Sequence, residues 1–224
     1  MHRYDDPKFQ MDMDTIKEKS ERNKNWGKWG PDDEWGTINY VGDEERKAAA
    51  QLVKKGQVFA LGLNFDADGP QNGLFGGRWN PIHTMLATGT DAVQGKQTVP
   101  GKKYASQYAL VGSNGAEKNA IHKMRNKMVG RGVLLDIARW AGVDSLDDGT
   151  AIDADDLDAC AKAQGVEIKR GDFVIYRTGH MERCLAAGEW GGYAGGEAPG
   201  VSFHTCDWMH DMEIAAICAD TWGC

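Results

Sequence analysis

The stretch NPIHTMLATGTDAVQGKQ, residues 80–97, gathers His83, Gly89, Thr90 and Asp91 in one turn-rich run. Imidazole and carboxylate are both ligands for divalent metals, and in an extended segment residues two apart face the same side. The spacing here does not meet that requirement. Ala87 stands two residues before Gly89, and Gly89 itself stands two before Asp91. His83 and Asp91 are therefore expected to make turn and capping bonds, unless the fold returns His83 to a site.

Other residues offer chemistry at the ends of apolar runs. Asp220 closes AAICAD, where a strand-end carboxylate either enters an α/β site or caps the following turn. Arg177 and His180 follow a second apolar run in YRTGHMER and are candidates for lining a pocket or holding a substrate carboxylate; packing at the surface is the alternative. His204, in PGVSFHTCDW, sits at the start of a short helical pattern, as metal ligand or as plain helix-end residue. His210 and His122 read as surface residues. Trp26, Trp29 and Trp35 fall within ten residues and need cover from the core, a ligand or another subunit; Trp35 is a candidate substrate contact. No Gly-x-Ser-x-Gly elbow and no phosphate-binding Gly-Lys-Ser/Thr loop occurs. GGYAGG, residues 191–196, reads as a flexible loop. Cys184 and Cys206 have no base beside them in sequence to make a nucleophile.

These residues need elements to position them. Residues 1–25 read as a polar surface arm or helix, suited to packing on a partner chain, and 26–224 as one domain. GDEERKAAAQLVKKG, 42–56, is a helix by its acidic first turn, basic last turn and closing glycine. QVFALGLNF, 57–65, alternates like a strand. Residues 66–109 show little regular pattern, and a helix is expected over about 116–129. Buried strands are predicted at 131–139, 171–179 and 215–223, with helices at 153–165 and 205–214 between them. Alternating strands and helices predict an α/β fold with a mainly parallel or mixed sheet.

The chain has 224 residues, 41% hydrophobic and 26% charged, enough for a sizeable core. A net charge of -7 argues against nonspecific nucleic-acid binding. No apolar run is long enough to cross a bilayer, and the N-terminus lacks a secretory pattern, so a cytoplasmic protein is expected. Five cysteines, none in a Cys-x-x-Cys pair, predict reduced and mostly buried thiols.

WGPDDEWGTINYV, NPIHTML, VGRGVLLDIAR, QGVEIKRGDFVIYRTGHMER and APGVSFHTCDWMHDMEIAAICADTWG follow one another in an order that resembles the cyclase-like hydrolases, the family of bacterial kynurenine formamidase and isatin hydrolase. The resemblance implies a swivelling β/β/α fold and a divalent metal, zinc or manganese. It also implies hydrolysis of a small-molecule amide, formamide or lactam-type bond by a homodimer or higher homo-oligomer. In that family a His-x-Gly-Thr-His-x-Asp-x-Pro-x-His signature, or a glutamine-containing variant, holds the metal, and its last histidine can act as general base. Neither form occurs here, and the interval that would carry it is short. By resemblance the surviving site is expected to use His83 and His204 for catalysis, His204 and Asp220 for metal, and Trp35, Arg177 and His180 for substrate. The alternative is a noncatalytic, shortened homologue that binds a small molecule or another copy of itself, with the tryptophan-rich segment at the interface.

Overall fold

A computed structural model describes residues 2–57, 59, 61–63, 66–73, 76–82, 111–112, 115–116, 121–124 and 127–223. Its strands are β1 (His2–Arg3), β2 (Val111–Gly112), β3 (Gly115–Ala116), β4 (Gly132–Asp136), β5 (Thr150–Ile152), β6 (Phe173–Arg177), β7 (Gly200–Val201) and β8 (Ala216–Ala219). Its α-helices are α1 (Met13–Asn23), α2 (Asp43–Ala50), α3 (Ile137–Trp140), α4 (Ala154–Gln164), α5 (His180–Ala187) and α6 (Thr205–Asp211).

The principal sheet runs β4-β6-β8 and is parallel throughout, with Val133 opposite Val174 and Val174 opposite Ile217. A second sheet, β1-β5-β7, is mixed: β1 is antiparallel to β5, and β5 is parallel to β7. β2 and β3 form a two-stranded antiparallel pair. The fold is thus mixed α/β, as the alternation of patterns predicts.

Strand geometry sends alternate residues to opposite faces. Val133, Leu135, Val174 and Tyr176 enter the main core with Ile137, Ile152, Leu157 and Cys160, and Ile217, Ala219 and Trp208 pack against it. The opposite face is covered less: Leu134 is 54% exposed and Cys218 is exposed, while Phe173 and Ala216 meet a smaller cluster of Ile38, Val41 and Ala215. The expectation of strands buried on both faces is therefore corrected. Among the described residues helices cover one face well, and residues 38–41 cover only part of the other.

Local signals hold where capping chemistry is strong. Asp153 accepts from the Asp156 N–H at 3.0 Å to start α4, and Gly165 ends it at φ 68°, a left-handed position that glycine occupies without a Cβ penalty. Gln164 then reaches the outer edge of β4: its amide donates to the Leu134 carbonyl at 2.7 Å, and its oxygen accepts from Asp136 N–H at 2.8 Å. An edge strand needs such partners. The run predicted as strand 131–139 breaks at Asp136, whose carboxylate accepts from Arg139 N–H at 3.1 Å and caps α3.

Other expectations fail. The 42–56 helix stops at Ala50. No strand forms among the described residues of 57–65, where Phe59 and Leu61 are exposed with no sheet edge beside them. Within 116–129 the described residues show a 3-10 turn at Ile121–Met124 instead of an α-helix, and part of that run lies outside the described residues. Two of the three tryptophans lie outside this chain's core: Trp26 is 84% exposed, and Trp35 is exposed with the Lys127 ammonium 3.9 Å from its ring centroid, while Trp29 is half-buried edge-on against Tyr40 at 5.2 Å. GGYAGG is not a loose loop, because Tyr193 and Ala194 are buried.

The polar N-terminal segment docks on its own chain. β1 joins β5, and α1 lies against α6 through ion pairs. Asp207 accepts from Lys19, from Arg22 at 2.6 Å and from Asn23 at 2.8 Å, while Arg22 also pairs with Asp211 at 2.9 Å. Lys19 foremost, then Asn23, holds the Asp207 carboxyl well below the usual carboxylate range.

Two outcomes follow. Leu135→Ala should cost about 2–5 kcal/mol of stability, and Leu134→Ala, one residue along on the opposite face, about 0.5 kcal/mol or less, read from urea midpoints. For the clamp, a depressed folded pKa means that Asp207's contribution is complete above its unfolded value near 4 and lost as pH falls through the folded value. Amide exchange in 13–23 should stay protected through neutral pH and down to about 4 and rise only below it, and Asp207→Asn should raise exchange at neutral pH. Unchanged exchange in that variant would remove the clamp.

Candidate functional site at the strand ends

The C-terminal ends of β6 and β8 converge on one carboxylate. Asp220 Oδ1 accepts from the Thr178 N–H and the Thr178 hydroxyl, both at 2.7 Å, and Oδ2 accepts from Gly179 N–H at 2.7 Å. Thr178 Oγ1 in turn accepts from His180 N–H at 3.2 Å. Gly179 turns the chain at φ 80°, and a Cβ there would lie 2.1 Å from the Asp144 carbonyl oxygen, so no other residue fits. This turn launches α5 and puts His180 into the protein.

His180 is buried against Tyr193, ring centroids 5.1 Å apart, and its Nε2 lies 3.9 Å from Asp148 Oδ1. Burial, with the nearby Arg183 charge, lowers its pKa and keeps the ring neutral. Tyr193 donates its hydroxyl to the Asp220 carbonyl at 3.3 Å, and burial pushes its phenol up to about 12. Trp190 meets Tyr193 edge to face at 5.1 Å and donates Nε1–H to the Asp68 carbonyl at 2.9 Å. His180, Asp148, Tyr193 and Trp190, with Arg183 and Cys184, line a cavity of about 410 Å³.

Arg177 is engaged elsewhere. It pairs with Asp136 at 2.8 Å, with Glu182, and with the Asp144 carbonyl at 3.2 Å; Glu182 foremost raises its pKa. Its guanidinium ties β6 to β4 and α5.

His204 has different surroundings. It starts α6 without a side-chain capping bond, and its ring meets Phe9 edge-on at 5.5 Å. Burial, then the Lys19 and Lys8 charges, lowers its pKa. Lys8 itself pairs with Asp153. His204 lines a larger cavity, about 650 Å³, with Tyr4, Phe9, Ala151 and Ser202, whose hydroxyl is buried without a partner among the described residues. Trp35 borders a third hollow with Pro31, Glu34 and Lys123.

The structure therefore brings Arg177, His180 and Asp220 to one end of the sheet and sets His204 and Trp35 in separate hollows. His83, Asp91 and the His122 side chain lie outside the described residues. Among the described residues no three His, Cys, Asp or Glu side chains gather as a metal cage would require. Cys160, Cys184, Cys206 and Cys218 are outside any disulfide, and burial raises the thiol pKa of the first three. The sequence reading missed Asp148, Trp190 and Tyr193. The signal available was the pair of large aromatics three apart among glycines in EWGGYAGG, which costs too much exposed apolar surface to be a free loop.

A parallel α/β sheet with titratable and aromatic side chains gathered at strand C-terminal ends defines the class. Within it the chain belongs to the cyclase family: residues 80–224 match the family model described as "Putative cyclase". It is also similar to a crystal structure described as a novel cyclase, at 29% identity and TM-score 0.68, over 89% of this chain and 75% of that one. No curated protein matches this chain. No helix among the described residues is long and apolar enough to cross a membrane.

Removing the Asp220 carboxylate leaves two backbone N–H groups without their acceptor. Asp220→Ala should cost about 2–4 kcal/mol and loosen the Tyr193 packing, seen as a lower urea midpoint with reduced near-ultraviolet dichroism. A stability within about 0.5 kcal/mol of the parent would show that the strand ends do not depend on it.

Proposed function

We propose that this protein is an arylformamidase-like hydrolase of the cyclase family, cleaving an amide, formamide or lactam-type bond in a small molecule with the help of zinc or manganese. The observation that carries this reading is the family match across residues 80–224, which includes the strand ends where Asp220 and His180 stand. Such an ion would polarise the carbonyl and supply hydroxide at neutral pH. On this reading the protein is cytoplasmic and works as a homodimer or higher homo-oligomer, and its net charge of -7 favours neither nucleic acid nor an anionic membrane as partner.

The described residues do not by themselves fit a divalent ion. Asp220 already accepts three hydrogen bonds, and the carboxylates near His204, Asp153 and Asp207, are already paired with Lys8 and Lys19. Further donors would be needed. The sequence offers His83 and Asp91, outside the described residues. What the strand ends contribute is a neutral, buried imidazole and an aromatic wall against which a planar substrate can lie.

A second reading has its own support. With Asp220 and Arg177 both tied into structural bonds, the chain suits a noncatalytic homologue that binds a small molecule or another copy of itself.

Metal content and turnover distinguish the two. The hydrolytic reading expects stoichiometric zinc or manganese in the purified protein. It also expects hydrolysis of N-formylkynurenine or isatin that chelation abolishes and the ion restores, with lower occupancy in His204→Ala. Metal-free protein, inert to both compounds with either ion added, would leave the second reading. Unchanged occupancy in His204→Ala would remove that residue from the site.

A further inference from the structure

The cavity beside His204 lies under the N-terminal segment, and neither reading above gives it a ligand. Its volume, about 650 Å³, falls in the range that holds small organic molecules. Tyr4 and Phe9 line it from the N-terminal segment, and Ala151, Pro199, Val201 and Phe203 from the body of the domain. The lining is mainly apolar and carries three aromatic rings, a surface that favours a ring compound.

The polar side chains of the lining are nearly all engaged. Tyr4 donates its hydroxyl to Glu197 at 3.1 Å, and Thr150 donates to the Asp147 carbonyl at 2.6 Å. The Ser202 hydroxyl is buried and closed to a ligand. Glu197 is the single charged side chain among the lining residues, and Arg3 lies 3.7 Å from it. His204 is left. Its ring is half-buried, so a ligand can reach it, and it has no hydrogen bond among the described residues. The charges nearest it are already matched, Lys8 with Asp153 and Lys19 with Asp207. Burial foremost, then the Lys19 and Lys8 charges, lowers its pKa, so at neutral pH the imidazole is uncharged and offers one N–H and one lone pair. A charged ligand would give up its hydration here with no counter-charge to receive it.

We propose that this cavity binds a neutral, largely apolar ring compound carrying one hydroxyl. The hydroxyl pairs with the His204 ring, and the body lies among Phe9, Phe203 and Val201. An ether of the same shape keeps the body contact and loses the donor; a carboxylate meets no cation and faces Glu197.

NMR titration of the full chain with 4-ethylphenol, 4-ethylanisole and ionised 4-ethylbenzoic acid tests the assignment. The phenol should bind one to one and about three- to tenfold tighter than the ether, with no binding of the acid. His204→Phe, which keeps a ring against Phe9, should bring the phenol down to the affinity of the ether and leave the ether within about twofold. In the parent chain the phenol should also slow amide exchange in residues 4–9, because a ligand that binds the closed segment stabilises it. Acid binding as tight as the phenol's, equal affinity for phenol and ether, unchanged phenol affinity in His204→Phe, unchanged exchange in 4–9, or no binding of any of the three would each overturn the proposal. The readout is binding and exchange, without turnover or metal content, so its failure is distinct from failure of the hydrolytic reading.

Discussion

Backbone N–H groups leaving a parallel strand have no partner in the next strand, and at the end of β6 those of Thr178 and Gly179 find theirs in Asp220. Much above the sheet depends on that meeting. The carboxylate fixes β8 beside β6 at their exits, and Gly179 turns there because any side chain would strike the Asp144 carbonyl. His180 enters the interior from this turn, and Tyr193 closes over it, bonded to the carbonyl of the same aspartate. A charge-assisted bond to a fixed carboxylate is stronger than a neutral one, so a single side chain can set two loops and a helix start.

That role explains why a strand-end acid in this fold need not be a metal ligand. A carboxylate that already accepts three hydrogen bonds is held to a geometry chosen by those donors, and an ion would have to compete with them. The same logic applies to Arg177, whose three partners lie on β4, α5 and the connection after α3. Both residues fasten the strand ends through these bonds.

The N-terminal segment shows a related exchange. Its composition reads as a solvated arm, yet its charges complement those of α6, and Asp207 gathers Lys19, Arg22 and Asn23. Phe9, at its bend, covers His204. A polar helix with no apolar stripe can therefore be integral to a domain when its ion pairs form a network, which is worth more than isolated surface pairs. Neighbouring residues place that network 188 positions apart in Lys19 and Asp207, too far for any local pattern to reveal.

Local patterns determined a good deal. The three strands of the principal sheet, the capped helix 154–164, the short helix at 205–211 and the α/β class were legible in residues 131–223, because apolar runs and caps act within a few residues of themselves, and the family was legible in the order of segments between 26 and 223. Among the described residues of 57–65 the expected strand does not form, and Trp26 and Trp35 find no place in this chain's core, since each needed a distant surface that the sequence could not display. Asp220's occupation, the burial of Tyr193 and the separation of His204 from Asp220 were decided by tertiary structure alone. Hydrogen bonding and burial depend on which segments meet across the fold, and only packing settles which partner a donor or a ring finds.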